Sequence, residues 1–130
     1  MTNLTDHCVS LDLARRLKEL GLRQDSLYMW IKNKDDHPKA GWSVFANSSI
    51  ARTLTWEDRC PTFLASEIHN MIPWVETYYF ESCWRCNRNI KSFDSMQLCA
   101  ESLPDCLALM LIYLIQKNEL TEEWQAKWMR

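Results

Sequence analysis

The sequence predicts an α+β fold in which a small antiparallel sheet packs against three helices, followed by a short C-terminal helix. Leucine-rich stretches with helical periodicity stand near both ends of the chain, and short aromatic and β-branched stretches lie between them. The 130 residues suit one domain, and a composition of 47% hydrophobic and 25% charged residues is globular. We therefore treat residues 1–130 as a single domain, with 121–130 as a candidate C-terminal helical extension.

The first helix is predicted over residues 11–20, where leucines recur on one helical face. Ser10 precedes this face as a candidate N-cap, and Gly21 follows it as a candidate left-handed C-cap. Two β-prone segments come next, at 27–32 and 42–46. The residues between them contain Asp, Pro and Gly, which predicts that the two strands are joined by a turn.

Residues 47–59 show no clear period and are interpreted mostly as loop. A second helix is predicted over 62–72, with Thr62 as its cap and Pro73 ending it. Short aromatic or β-prone stretches then predict three further strands, at 74–80, 82–90 and 97–100.

The strongest helical pattern covers residues 103–120, with Ser102 and Asp105 forming a start similar to a capping box. The middle of this segment is apolar almost all round, so we expect it to be buried on several sides. Thr121 is a candidate cap for a final helix over 122–130.

Charge and hydropathy exclude several classes of protein. The net charge is −2, whereas general binding to a phosphate backbone needs a concentrated positive field, so we do not expect nucleic acid as a partner. The longest apolar run, ten residues from Cys106, falls short of the roughly 20 that a membrane span needs. The N-terminal residues lack a charged segment followed by an apolar one, so we expect a cytoplasmic protein with no membrane partner.

Six cysteines are present, and in a reducing cytosol free thiols are the expected state. Cys83 and Cys86 have the spacing with which two thiolates reach one zinc ion. Cys99 would have to be a third ligand, and a fourth would come from His69, Cys60 or Cys106. The chain is long enough to fold without a metal, so the sequence favours packing; we predict no cofactor and keep a small zinc-binding module as an alternative function.

No catalytic constellation is recognised, and we predict that the protein is not an enzyme. His7 and Cys8 are adjacent in sequence, but only the fold can make a base and nucleophile pair of them. A DNA-binding regulator is a further alternative, because the first helix and the residues after it loosely suggest a helix-turn-helix. The segment at 27–32 is β-prone, however, and lacks a polar face that could contact bases.

Trp124 and Trp128 are four residues apart and therefore share one face of the final helix. One interpretation is that this face packs back on the domain. The other is that it docks a partner or a second copy, because Trp is enriched at binding hot spots. The two tryptophans are the candidate partner-binding residues.

Three segments together resemble a group of small, uncharacterised proteins encoded by bacterial phages and prophages. They are the leucine-rich helix of residues 10–24 with Tyr28 and Trp30, residues 62–73 ending in an Ile-Pro step, and residues 108–115, which contain a Met-Leu-Ile-Tyr-Leu-Ile core. The resemblance implies a similar fold, a phage or prophage origin and a bacterial host, and it transfers no functional residue. The chain also contains seven tryptophans, an excess for its length. Together, the resemblance and this excess lead to the hypothesis of a non-enzymatic accessory protein that binds a host or phage protein, or itself.

Overall fold

A computed structural model describes residues 7–23, 26–32, 41–46, 59–88 and 97–129 of the chain. The helices are α1 (Leu11–Glu19), α2 (Ala65–Met71), α3 (Leu103–Gln116) and α4 (Glu122–Trp128). The strands are β1 (Tyr28–Lys32), β2 (Trp42–Ala46), β3 (Arg59–Thr62), β4 (Val75–Phe80), β5 (Cys83–Arg88) and β6 (Gln97–Ala100). The predicted α+β class and the short C-terminal helix are confirmed. The described strands form two antiparallel sheets, ordered β2-β1-β3 and β4-β5-β6, where the sequence predicted one.

Helix α3 forms the centre of the core, as its apolar pattern predicted. It contacts α1, α2 and two strands of the second sheet, β5 and β6. Its buried residues occupy several sides: Cys106, Leu107, Ala108, Met110, Leu111, Ile112 and Leu114. Fully burying one large aliphatic side chain contributes about 1.5–3 kcal/mol, so this helix contributes much of the hydrophobic stabilisation. No helix in the described part of the chain is long and apolar enough to cross a membrane.

The predicted C-cap of α1 is confirmed. Gly21 has a φ of +96°, which a residue without a Cβ adopts at little cost. The N–H of Gly21 donates to the carbonyl of Lys18, and the N–H of Leu22 donates to the carbonyl of Leu17. These two bonds make a Schellman motif, which satisfies the last carbonyls of the helix and turns the chain towards β1.

Helix α3 ends at Gln116, four residues before the end that the sequence predicted. Asn118 has a φ of +54°, and its N–H donates to the carbonyl of Ile115. The N–H of Glu119 donates to the carbonyl of Leu114, which completes a second Schellman motif. The prediction was too long because Asn occupies the left-handed position at which Gly is the usual indication of a helix end.

Of the N-caps predicted at Ser102, Thr121 and Ser10, two are confirmed and one is wrong. Ser102 accepts a bond from the N–H of Asp105 at 3.3 Å, and Thr121 accepts one from the N–H of Trp124 at 3.1 Å, so both caps are confirmed. The Ser10 side chain makes no capping bond, and that prediction is wrong. Its backbone N–H instead donates to the Asp105 carboxylate at 2.7 Å, which ties the start of α1 to the start of α3.

Thr62 is a strand residue and not a helix cap, so the predicted start of the second helix is wrong. Its buried hydroxyl donates to the carbonyl of Val9 at 2.7 Å. Helix α2 begins three residues later, where the Glu67 carboxylate accepts from the N–H of Leu64 at 2.9 Å. Thr62 belongs to β3, a strand that was not predicted because it contains Pro61, which cannot donate a hydrogen bond to a sheet. Since β3 lies at the edge of its sheet, the missing donor is tolerated.

Candidate protein-binding surface

The Cys-Trp-Arg-Cys motif lies on β5, and the pleat of the strand separates its two thiols. Side chains three residues apart on a strand point to opposite faces, so Cys86 is fully buried whereas Cys83 lies on the other face. Cys99 and His69, the proposed further ligands, are both exposed. No three Cys, His, Asp or Glu side chains in the described ranges are grouped so that they could hold a metal ion. The zinc hypothesis therefore loses its ligand set.

The Cys86 thiol contacts Cys106 of α3 inside the core. Its sulfur lies 3.2 Å from the carbonyl oxygen of Cys106. The sulfur of Cys106 in turn lies 3.6 Å from the carbonyl oxygen of Leu98. The hydrogen bond between the two thiols, followed by burial, raises the pKa of Cys86. The pair is therefore a packing feature that holds α3 against the second sheet, with Cys86 protonated at neutral pH.

His7 and Cys8 line an open cavity of about 710 Å³ beside the N-terminal end of α3. Burial, and then the charge of Glu67, raise the pKa of Cys8 to about 11. Because the thiolate is the nucleophile, a thiol that stays protonated at neutral pH is poorly suited to covalent catalysis. The geometry gives the adjacent pair no catalytic activation. His37, the third histidine, lies outside the described residues.

The segment after α1 is not a recognition helix. Its residues from Tyr28 form β1, which pairs with β2 on one side and β3 on the other. A helix-turn-helix needs a second helix directly after a short turn, and β1 occupies that place. The DNA-binding alternative has no support from this region.

Trp124 of the predicted partner-binding pair lies in the core. Its side chain is 8% exposed, and its ring N–H donates to the carbonyl of Met71 at 2.7 Å. That carbonyl belongs to the last turn of α2, so the bond joins the tail to a distant part of the chain. The placement favours the interpretation in which this face of the final helix packs back on the domain.

Trp128 is half-buried against the same core, and Lys127 lies over its ring at 5.0 Å. The carbonyl of Trp128 accepts from the N–H of Arg23 at 2.8 Å, and Met129 bridges to Leu22. These contacts fasten the tail to the end of α1. A binding role for the pair stays a prediction, and Trp128 is the member that has surface available for it.

Four of the five exposed aromatic side chains of the described residues are on or beside β4, which sequence analysis did not select; the fifth, Phe45 of β2, stands apart from them and is 47% exposed. The exposed fractions are 42% for Trp74, 39% for Tyr78, 60% for Tyr79 and 53% for Phe80. We call these four residues the β4 aromatic surface. Single exposed apolar residues are ordinary on a protein surface, whereas a group of this size on one segment marks a candidate binding site.

A tight turn positions this surface at the end of the second sheet. Glu81 and Ser82 have φ values of +52° and +66°, and positive φ at both central residues defines a type I′ hairpin turn. Phe80 pairs with Cys83 across the turn. The turn was not recognised in the sequence because Asn-Gly, the usual pair, is replaced by Glu-Ser.

Arg85 and Trp84 of β5 border the β4 aromatic surface on opposite faces. The Arg85 guanidinium carbon lies 5.3 Å from the centre of the Phe80 ring and its terminal nitrogen 3.4 Å from the carboxylate of Glu81. On the other face, the rings of Tyr79 and Trp84 meet edge to face at 5.4 Å. The surface therefore combines aromatic rings with one cation, the composition that is enriched at protein interfaces.

One indication in the sequence could have located this surface. Tyr78, Tyr79 and Phe80 are consecutive, and consecutive strand residues alternate between faces. Three large rings in a row therefore place aromatic surface on both faces of one strand, and a strand at a sheet edge has little to cover either face.

The whole chain was compared with known protein families, with curated proteins and with solved structures. None of the three comparisons finds a match.

Proposed function

We propose that this is a non-enzymatic accessory protein of phage or prophage origin that acts in the bacterial cytoplasm by binding another protein chain through the β4 aromatic surface. The exposure of Trp74, Tyr78, Tyr79 and Phe80 carries the proposal. Tyr, Trp, Phe and Arg are enriched at protein interfaces, and Trp, Tyr and Arg dominate their hot spots.

The size of the surface supports the same function. An aromatic side chain presents about 150–250 Å², so four that are about half exposed leave on the order of 400 Å² of aromatic surface in water. Tyr79 presents its share on one face of β4, and Tyr78 and Phe80 present theirs on the other, so both faces of this edge strand offer aromatic contacts to a partner. The core does not need these four side chains, because α3 and its neighbours bury one another.

Rigidity adds to the support. A two-residue turn joins β4 to β5 and holds the backbone of β4 in place. Side chains on such a strand lose little further freedom when another protein binds. The edge-to-face contact of Tyr79 with Trp84 and the position of Arg85 over Phe80 also restrict these side chains. A preorganised aromatic surface keeps more of its interaction energy as affinity.

Site-specific photo-crosslinking in bacterial cells that produce the protein tests the proposal. A photoreactive phenylalanine analogue replaces Tyr79 in one variant and Leu27 in the control, because Leu27 is the most exposed large apolar side chain elsewhere, at 63%. We expect a discrete adduct of defined mass from position 79 and only diffuse labelling from position 27. Equal, diffuse labelling at both positions would contradict the proposal.

A further inference from the structure

The outer edge of β4 is the feature that identifies a partner for this surface, and the inference rests on the proposed function. β4 stands at the end of its sheet, and within the described residues β5 is its strand partner. Natural proteins protect exposed edges with bulges, prolines or charges, since unpaired backbone groups invite another strand. β4 pairs without a bulge, contains no proline and carries one charged residue, Glu76.

The two-residue turn fixes which backbone groups of β4 point outward. Phe80 and Cys83 flank the turn as a hydrogen-bonded pair, so every second residue from Phe80 bonds to β5. The alternate residues direct their N–H and C=O groups to the open edge: Val75, Thr77 and Tyr79. The N–H of Val75 donates to the preceding turn at Ile72. Among the residues that the structure describes, Thr77 and Tyr79 thus keep both of their groups for another strand.

We propose that this edge pairs with the same edge of a second copy of the chain, antiparallel and with the two-fold axis at Tyr78. Thr77 of each copy then lies opposite Tyr79 of the other, and each such pair exchanges two backbone hydrogen bonds. The two three-stranded sheets become one six-stranded sheet, and the two Tyr78 side chains face each other across the axis.

Charge fixes the position of the axis. With the axis at Tyr78, Glu76 of one copy lies opposite Phe80 of the other, whose ring carries the Arg85 guanidinium. Each carboxylate therefore approaches a cation of the second copy. If the axis were at Thr77, the two Glu76 carboxylates would become diagonal neighbours across the strands, and like charges so placed are destabilising. An isologous interface of this kind closes as a dimer.

Disulfide trapping tests the register. All variants carry Cys83→Ser and Cys99→Ser, because those two thiols lie on the same face of the sheet as Tyr78. In the proposed dimer the Cα atoms at position 78 are roughly 4.5 Å apart across the axis, within the range that a disulfide spans. Tyr78→Cys should therefore form a covalent dimer under mild oxidation, whereas Glu76→Cys, which lies opposite position 80, should stay monomeric.

Sedimentation velocity on the otherwise unmodified protein gives the mass in solution. We expect a concentration-dependent species of twice the 15.5 kDa of one chain. Tyr79→Pro removes the ring together with an N–H that points to the open edge and makes no bond to β5, so this variant should sediment as a monomer with an unchanged far-UV circular dichroism spectrum. Tyr79→Ala keeps the N–H and should dimerise more weakly than the native protein but more strongly than Tyr79→Pro.

A monomer at all concentrations up to the solubility limit, with equal crosslinking of Tyr78→Cys and Glu76→Cys, would overturn the proposed dimer. The photo-crosslinking result then separates the two proposals. An adduct of Tyr79 with a different protein would leave the proposed function standing and reject self-association. Loss of both the dimer and the adduct would reject both.

Discussion

The C-terminal helix and the β4 hairpin are both rich in aromatic residues, but the fold treats them in opposite ways. Trp124 is 8% exposed and its ring N–H is bonded to the carbonyl of Met71, whereas Tyr79 is 60% exposed. The spacing of Trp124 and Trp128 correctly places them together on a helix. It does not say whether that face is covered, because the covering group comes from α2, some 50 residues away in sequence. Aromatic content alone therefore does not locate a binding surface.

Replacing Trp124 is expected to have the largest effect. Trp124→Ala leaves a cavity in the core and the Met71 carbonyl without its donor, and such changes cost about 3–5 kcal/mol in the free energy of unfolding. Tyr79→Ala, the matched change on the hairpin, should cost no more than about 1.5 kcal/mol, because it removes mainly the contact with Trp84. Urea unfolding of both variants at a low protein concentration measures the difference. Equal losses in the free energy of unfolding would show that the two aromatic residues contribute equally to the core.

The buried thiols predict a loss of stability in alkali. Burial raises the pKa values of Cys8 and Cys60 to about 11, from 9.0 for an exposed thiol. The folded state therefore binds these protons more tightly than the unfolded state, so stability is complete below pH 9 and falls as the pH rises through 11. Two pKa units correspond to roughly 3 kcal/mol for each thiol.

Chemical unfolding at pH 8, 9, 10 and 11 checks this expectation, with Cys60→Ala as the control. That variant should lose less stability over the same range, because it lacks one of the thiols whose pKa is raised by burial. A native protein whose stability is flat from pH 9 to 11 would show that the thiols are not held in their protonated form.

The hairpin turn predicts a gain in stability. A left-handed conformation costs an ordinary residue roughly 1–2 kcal/mol, and glycine largely avoids this cost. Ser82 has a φ of +66°. Replacing it by Gly should therefore stabilise the protein by about 1 kcal/mol. Thermal unfolding measures the gain, and Ser102→Gly, which removes a helix cap at a residue with negative φ, should change stability in the opposite direction.

The ion pair beside the β4 aromatic surface should have the smallest effect. Glu81→Gln removes the charge that lies 3.4 Å from Arg85, but 69% of the Glu81 side chain is exposed. Exposed pairs of this kind contribute little, so we expect the smallest change among these variants, and one that disappears in 1 M salt. A larger loss that survives high salt would mean that Glu81 has a structural role within the turn.

The sequence predicts the elements of this fold where local chemistry decides them. The leucine stripe with Gly21 defines α1, and the apolar segment from 103 defines the central helix. Errors occur where a residue acts through a distant partner. Thr62 resembles a cap but is bonded to Val9, and Asp105 resembles half of a capping box but accepts from Ser10. Neither bond can be inferred from spacing along the chain.

The candidate site is less predictable than the fold, for a similar reason. The Cys83 and Cys86 spacing suits a metal only if the segment curls around the ion, and a straight strand separates the two thiols. The β4 aromatic surface depends on β4 being an edge strand, which is set by the order of strands in the sheet. Sheet order is a long-range property, so periodicity within one segment cannot reveal it.

Replacing Tyr78 and Phe80 together by Ser tests most directly whether these aromatic residues serve binding and not folding. The double variant is assayed for its free energy of unfolding at a concentration where the native protein is monomeric, and for association by sedimentation velocity at high concentration. We expect a stability within about 1.5 kcal/mol of the native protein, since exposed side chains contribute little to the core, together with loss of association. Unfolding of the double variant, or association that persists unchanged, would contradict it.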